Sequence, residues 1–201
     1  MTTRWYQEKK HEHFYRQAKK QGYRARSAYK LKQIQKKYQL ISKGDIIVDL
    51  GAAPGGWSQV AVELSGESGT VISVDINRIT PLHKVICIKG DMTSDETQQQ
   101  LIQALEGKKA DVVLSDMSPD ITGNYSVDQA RSLWLCQQAF DVVRIILKPH
   151  GHFVCKLFEG EDKKEIIKPL KQSFYIVKQF SPPASRKSSS ESYLIAKRFK
   201  G

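Results

Sequence analysis

The side chains best placed to do chemistry are carboxylates at the ends of apolar runs. Asp49 follows Ile46-Ile47-Val48 and opens Asp49-Leu50-Gly51-Ala52-Ala53-Pro54-Gly55-Gly56-Trp57; Asp75 ends a second run, Asp91 follows a third through Lys89-Gly90, and Asp116 follows a fourth. One Asp after a strand is ordinarily a turn or cap residue. Four at successive strand ends point to ligand-holding roles, because open α/β sheets bind ligands beyond the carboxyl ends of their strands. In the elbow at 49–57, Gly51, Gly55 and Gly56 let backbone N–H groups and a helix N-terminus come close to a ligand. The G-x-x-x-G-G spacing departs from the G-x-G-x-x-G of dinucleotide folds, and the Lys-Ser/Thr of a phosphate-binding loop is missing. The remaining ligand of suitable size is S-adenosylmethionine, whose amino-acid end needs close backbone approach and whose ribose needs a carboxylate. Asp75 stands where a carboxylate would bond ribose hydroxyls, and Asp91, beside Met92, is placed to accept from an adenine amino group.

The segment Ser115-Asp116-Met117-Ser118-Pro119 narrows the reaction. Methylation of a base amino nitrogen favours Asn-Pro-Pro-aromatic at this point, and carbon methylation of a pyrimidine needs a cysteine nucleophile near it; neither is present. Oxygen methylation needs only an activated hydroxyl, a base and electrostatic support. Lys156 is the unexpected residue, a charge inside Phe153-Val154-Cys155-Lys156-Leu157-Phe158. A lone buried ammonium is costly, so it must be paired, neutral or turned to a polar cleft. A structural salt bridge is the plain alternative to a catalytic role.

The elements that position these residues alternate. Helices are predicted over 5–20 and 26–39, then strands over 46–50, 71–75, 85–88, 111–115 and 152–157, separated by helices over 56–65, 95–106, 127–147 and 161–171. The pattern is α/β with a mainly parallel, doubly wound sheet. Two closing strand-like runs, 174–180 and 193–199, flank Pro182-Pro183 and Ser188-Ser189-Ser190 and predict a hairpin that adds one antiparallel strand. Pro149-His150-Gly151-His152 reads as the turn before the Lys156 strand.

The net charge of +11 lies entirely in residues 1–44, which hold thirteen Lys/Arg against Glu8 and Glu12; residues 45–201 hold nineteen of each sign. A neutral body (45–201) with a basic helical arm (1–44) points to a polyanionic partner, nucleic acid foremost, although charged helices are often only solvated faces. Trp5, Tyr6, Phe14, Tyr15, Tyr23 and Tyr29 are interleaved with the arm's cations. Cys87, Cys136 and Cys155 form no C-x-x-C pair and read as reduced core residues of a cytoplasmic protein. No apolar stretch reaches the length of a membrane span, and charges stand where a signal peptide would be apolar. His11-x-His13 and His150-x-His152 have no further ligand to complete a metal site and read as surface residues.

Taken together, Asp49 to Trp57, Asp75, Asp91, Ser115 to Pro119 and the Lys156 strand resemble the FtsJ/RrmJ (RlmE) ribosomal RNA 2′-O-methyltransferases. The resemblance runs from Arg4-Trp5 through Arg24-Ala25-Arg26-Ser27-Ala28-Tyr29-Lys30-Leu31 to Glu191-Ser192-Tyr193. It implies a Rossmann-like class I methyltransferase fold, S-adenosylmethionine as cofactor and a Lys-Asp-Lys-Glu tetrad at Lys30, Asp116, Lys156 and Glu191. Gly55 and Trp57 would line the cofactor's methionine end, with Asp75, Asp91 and Asp116 completing its site. The implied substrate is a uridine of the 23S rRNA A-loop in the 50S subunit, modified by a cytoplasmic, metal-free monomer. A tRNA or mRNA-cap methyltransferase, or a non-catalytic ribosome-assembly factor on the same fold, are the alternatives.

Overall fold

The computed structural model describes residues 14–185 and 190–201. Expectations for Trp5, Tyr6, His11, His13 and the Arg4-Trp5 region, and for Ser188 and Ser189, lie outside the described residues. Strands β1 (Ile46–Leu50), β2 (Thr70–Asp75), β3 (Val85–Lys89), β4 (Ala110–Ser115), β5 (Leu147–Phe158), β6 (Phe174–Phe180) and β7 (Glu191–Phe199) form one sheet. Its order is β3-β2-β1-β4-β5-β7-β6. The first five strands are mutually parallel. β7 enters antiparallel between β5 and β6, so the hairpin supplies one antiparallel strand. β1 and β4 are neighbours in space but not in sequence, which makes the gap beyond their carboxyl ends the switch point where ligands bind such sheets.

Side chains alternate across this sheet with the period of two that extended backbone imposes. Val48, Leu50, Ile72, Val74, Val113, Phe153, Cys155, Leu157, Leu194 and Ala196 belong to one core. It is covered by α4 (Asp95–Ala104), α5 (Tyr125–Ile146) and α6 (Lys164–Ser173). Ile47, Val71, Val112, Leu114, Val154, Tyr193 and Ile195 belong to the other. That face is covered by helical residues 14–20 (α1), by α2 (Ala28–Tyr38) and by α3 (Gly56–Ser65). Asp49, Ser73, Asp75 and Lys156 stand in register with Ile47, Val71 and Val154, so the polar groups at the strand ends share the α2/α3 face.

The second half of the basic arm is therefore core. α2 buries Ala28, Tyr29, Lys30, Leu31 and Ile34 and leaves its remaining basic residues, Lys32, Lys36 and Lys37, at least partly exposed. Its charge had suggested a solvated or RNA-facing helix; an amphipathic helix can satisfy both demands at once.

Three expectations change. α5 ends at Ile146 and β5 begins at Leu147, so the predicted turn at Pro149-His150-Gly151-His152 is an irregularity inside β5. His150 takes φ 65°, and the register with β4 shifts between Ala110 and Val112. Cys87 is exposed, unlike buried Cys136 and Cys155: β3 is an edge strand, and of its five residues only Ile88 is buried. His152 is half-buried rather than a surface residue, and its Nδ1 accepts from the Arg198 N–H at 3.2 Å.

Because Leu31 and Ile34 sit in the core under α2, Ile34→Ala should cost about 2–5 kcal/mol in urea unfolding. A loss below about 1 kcal/mol would show that the helix is only tethered to the sheet.

Candidate active site

The glycines of the elbow are required first by the chain itself. Gly51 has φ 72°, and a Cβ there would lie 2.6 Å from Met117 Cγ and 2.9 Å from Met117 Cα, so the loops after β1 and β4 touch. Gly55 has φ 111°, and a Cβ would meet Leu82 Cδ1 at 2.8 Å; one on Gly56 would meet Ala25 Cβ at 3.1 Å. Gly55 is the N-cap of α3 and offers no side chain to the helix's first N–H groups. The Ser58 N–H turns to Asp49, and those of Gly56 and Trp57 are left for a ligand.

Asp49 lies beneath this turn, fully buried. Its Oδ2 accepts from Ser58 Oγ at 2.6 Å, and Ser58 Oγ is 2.8 Å from Ser73 Oγ. Its Oδ1 is buried with no hydrogen-bond partner. Burial raises the Asp49 pKa to about 7; the Ser58 hydrogen bond opposes this, and the charges of Asp116 and Asp75 add to it. An unpartnered carboxylate oxygen below free helix N–H groups fits a ligand carrying both an anionic group and a positive charge. The methionine end of S-adenosylmethionine has both.

The flanking carboxylates are fixed by backbone. Asp75 accepts from Ala53 N–H at 2.9 Å and Asn77 N–H at 2.7 Å. Asp91 Oδ1 accepts from Thr93 N–H at 2.9 Å and Thr93 Oγ1 at 2.8 Å. Gly90 N–H donates to Asp75 O, which brings the two strand ends together. Ile76, just beyond Asp75, is 64% exposed and makes an apolar wall beside these acids.

Trp57 packs its ring inward from the first turn of α3. Its side chain is buried, its indole N–H donates to Ser27 O at 2.8 Å, and its ring lies 5.5 Å from that of Tyr193. What it can offer a ligand is its backbone N–H in the first turn of α3. Arg24 closes the same region from outside: Nη1 donates to Pro54 O at 3.2 Å and to Thr80 O, and Nη2 to Pro81 O at 2.9 Å.

Across the switch point, the four residues of the expected tetrad meet. Lys156 Nζ lies 3.4 Å from Asp116 Oδ1, and Lys30 Nζ lies 2.5 Å from Glu191 Oε1. α2 supplies Lys30, the end of β4 Asp116, β5 Lys156 and the start of β7 Glu191. All four side chains are at most 16% exposed, and two cations balance two carboxylates, the condition for burying such groups. Burial alone would raise the Glu191 pKa; the charge and hydrogen bond of Lys30, the Ser185 hydroxyl and the Lys156 charge outweigh it and lower the value.

Tyr193, directly opposite Lys156 across β5 and β7, donates to Asp116 Oδ1 at 2.7 Å. Burial, then the charges of Asp116 and Glu191, raise its pKa well above 10, so the phenol keeps its proton and remains a donor. Sequence reasoning assigned no role to Tyr193, Ser58, Ser73, Arg24 or Ile76. A polar residue inside a β-branched run, as Ser73 is in Val71-Ile72-Ser73-Val74, was the available signal.

Comparison with known proteins shows the family. Residues 23–199 match the FtsJ-like methyltransferase family. The chain belongs to that family. It is 47% identical over 202 residues to the ribosomal RNA large subunit methyltransferase E of Methanobrevibacter smithii, covering all of this chain and 96% of that one. It is 54% identical over 186 residues to the protein of the same description from Halorubrum lacusprofundi, covering 92% and 69%. Among solved structures, a Plasmodium falciparum protein described as a ribosomal RNA methyltransferase superposes with TM-score 0.82 at 30% identity, covering 89% of this chain and all of that one. Aeropyrum pernix fibrillarin, solved with bound S-adenosyl-L-methionine, shares the fold at TM-score 0.59 and 18% identity over 85% of this chain and 76% of its own. The Rossmann-like class I methyltransferase fold is thus the observed one.

Asp49 generates a pH test of the ligand-free protein. A carboxyl whose pKa rises on folding contributes most below its unfolded value and loses that contribution as pH rises through about 7. Between pH 5 and pH 8 the wild type should lose roughly 2–3 kcal/mol more than Asp49→Asn in urea unfolding. Parallel pH profiles for the two proteins would show that Asp49 is ionised throughout.

Proposed function

We propose that this protein is an S-adenosylmethionine-dependent 2′-O-methyltransferase of ribosomal RNA, acting on a uridine of the 23S rRNA A-loop in the 50S subunit, as a cytoplasmic monomer. The observation that carries the reading is the Lys156–Asp116 pair beside the Lys30–Glu191 pair, at the switch point where the glycine elbow ends. Relatives described as ribosomal RNA large subunit methyltransferase E support the substrate class, and the 1–44 segment supplies the cations for a polyanion. Among the described residues no helix is long and apolar enough to cross a membrane.

In this reading the first-turn N–H groups of α3, including those of Gly56 and Trp57 beside Gly55, hold the methionine carboxylate. Asp49 and Asp116 face the cofactor's positive charge, Asp75 its ribose and Asp91, with Ile76 alongside, its adenine. S-adenosylmethionine, when bound, supplies an electrophilic sulfonium methyl. Lys156, neutral at the moment of reaction, accepts the proton of the ribose 2′-hydroxyl. Asp116 orients the amine from 3.4 Å while Tyr193 fixes the same carboxylate oxygen from the other side. Lys30 and Glu191 hold the target ribose, the ammonium as donor and the carboxylate as acceptor for its hydroxyls. Separating the base from the electrostatic role requires a variant that keeps the charge and changes the chemistry.

Lys156→Ala should lower methyl transfer by about 10²–10⁴-fold while calorimetry still shows cofactor binding. Lys156→Arg, which cannot act as a base at neutral pH, should be nearly as impaired; near-normal turnover would leave Lys156 an orienting cation, with water taking the proton. The substrate is tested by mapping 2′-O-methylation across total RNA from cells with and without the protein. One lost mark in the A-loop of 23S rRNA is expected, and marks lost from tRNA or mRNA caps would redirect the reading. Cofactor binding without transfer to undermethylated ribosomal particles would favour the non-catalytic assembly factor.

A further inference from the structure

The segment 117–127, between Asp116 and the body of α5, takes no part in the chemistry above. It nevertheless bears the most exposed apolar group beside the tetrad: Ile121 is 65% exposed and Tyr125 59%, with Val127 next to them. Such side chains on a loose loop would mean little, but this loop is tightly held. Asp128 Oδ1 accepts from the Thr122 N–H and hydroxyl, both at 2.8 Å, and Oδ2 from Gly123 N–H at 3.2 Å. Asn124 caps α5 by accepting from Val127 N–H at 3.4 Å.

Tyr125 is fixed at both ends. Its backbone belongs to the Asp116 side of the site, and its hydroxyl donates to Glu159 O at 2.7 Å. Glu159 follows Phe158, the strand partner of Glu191, and its N–H donates to Ser190 O at 2.7 Å. The ring thus spans the rim from the Asp116 loop to the strand end carrying Glu191. Among the described residues no aromatic ring or cation packs on its face.

At its anchor, Lys163 is already paired with Glu159 at 2.9 Å, so that ammonium is engaged and not turned to a phosphate. The ring's own face is neutral and flat and suits another aromatic surface. Phosphates belong to the basic α2 side, and sequence-tolerant recognition of single-stranded RNA uses such stacking.

We propose that Tyr125, flanked by Ile121, is a stacking platform for an unpaired nucleobase of the substrate RNA adjacent to the ribose presented to Lys156. This rests on the reading of the site as an RNA 2′-O-methyltransferase. The test uses the full chain with unmethylated 23S rRNA, both protein-free and reconstituted into 50S particles, intact or carrying abasic substitutions beside the target. Tyr125→Ala should raise KM for RNA by about 5- to 150-fold, with kcat at saturating RNA and cofactor affinity within about threefold of wild type; Tyr125→Phe, which keeps the ring, should stay near wild type. One neighbouring abasic substitution should reproduce the KM increase in the wild type and add nothing in Tyr125→Ala. A wild-type KM for Tyr125→Ala, abasic effects equal in both enzymes, or an effect seen on ribosomal particles but missing on protein-free rRNA that the wild type does methylate, which would indicate a protein contact, would each overturn the platform. Absence of methyl transfer by the wild type on protein-free rRNA and on undermethylated 50S particles alike would instead remove the functional reading, and the platform with it.

Discussion

The close approach of residues 23–30 to the first turn of α3 is the contact on which the site depends. Ala25 lies against Gly56 where any Cβ would crowd it, Trp57 reaches across to Ser27 O, and Tyr23 donates to Glu63 further along the helix. This seats α2 so that Lys30 can reach Glu191. The turn of α3 that offers N–H groups to a cofactor is the same turn that carries the arm. The first turn of α3 and Lys30 are therefore joined through one rigid contact, and Arg24 fastens its outer edge to the 80–81 loop.

Two ways of treating buried charge stand side by side. In the tetrad, cations and carboxylates cancel, so the cluster can be desolvated and still hold its geometry. Asp49 is not cancelled: the Ser58 hydroxyl serves one oxygen, the other is buried without a hydrogen-bond partner, and its carboxyl is pushed toward neutrality. The first arrangement suits moving a proton between groups already in place. The second suits waiting for a positive ligand, since only an incoming cation relieves the cost of ionising Asp49.

Much of this was legible in the sequence because it depends on local rules. β1 and α3 fall where β-branched residues and glycines put them, and Lys156 stood out because a charge inside an apolar run needs a reason. What depended on tertiary placement was not legible. α2 reads as a charged helix because composition does not reveal which stripe meets the sheet, and Cys87 looks like core because an edge strand resembles a central one. That the Trp57 ring turns inward to hold the arm could not be read from its place after the glycines. Ser58, Ser73 and Tyr193 gain meaning only once the strand register puts them on the face that carries Asp49 and Lys156. The tetrad itself was named through resemblance to a family; its residues lie far apart in sequence, and spacing alone could not have joined them.

That separation bears on when the protein becomes competent. Lys30 belongs to a helix near one end of the sequence and Glu191 to the last strand. Their neighbours tie the same ends together: Arg26 donates to Ala184 O, Ala184 N–H to Gln33 and Lys197 to Tyr38 O. Chains are made from the N-terminus and their domains fold as units. A nascent chain that has completed β1, α3 and β2 already contains the elbow, yet of the four lysine–carboxylate residues it holds only Lys30. The Lys30–Glu191 pair can thus form only after synthesis has passed the start of β7.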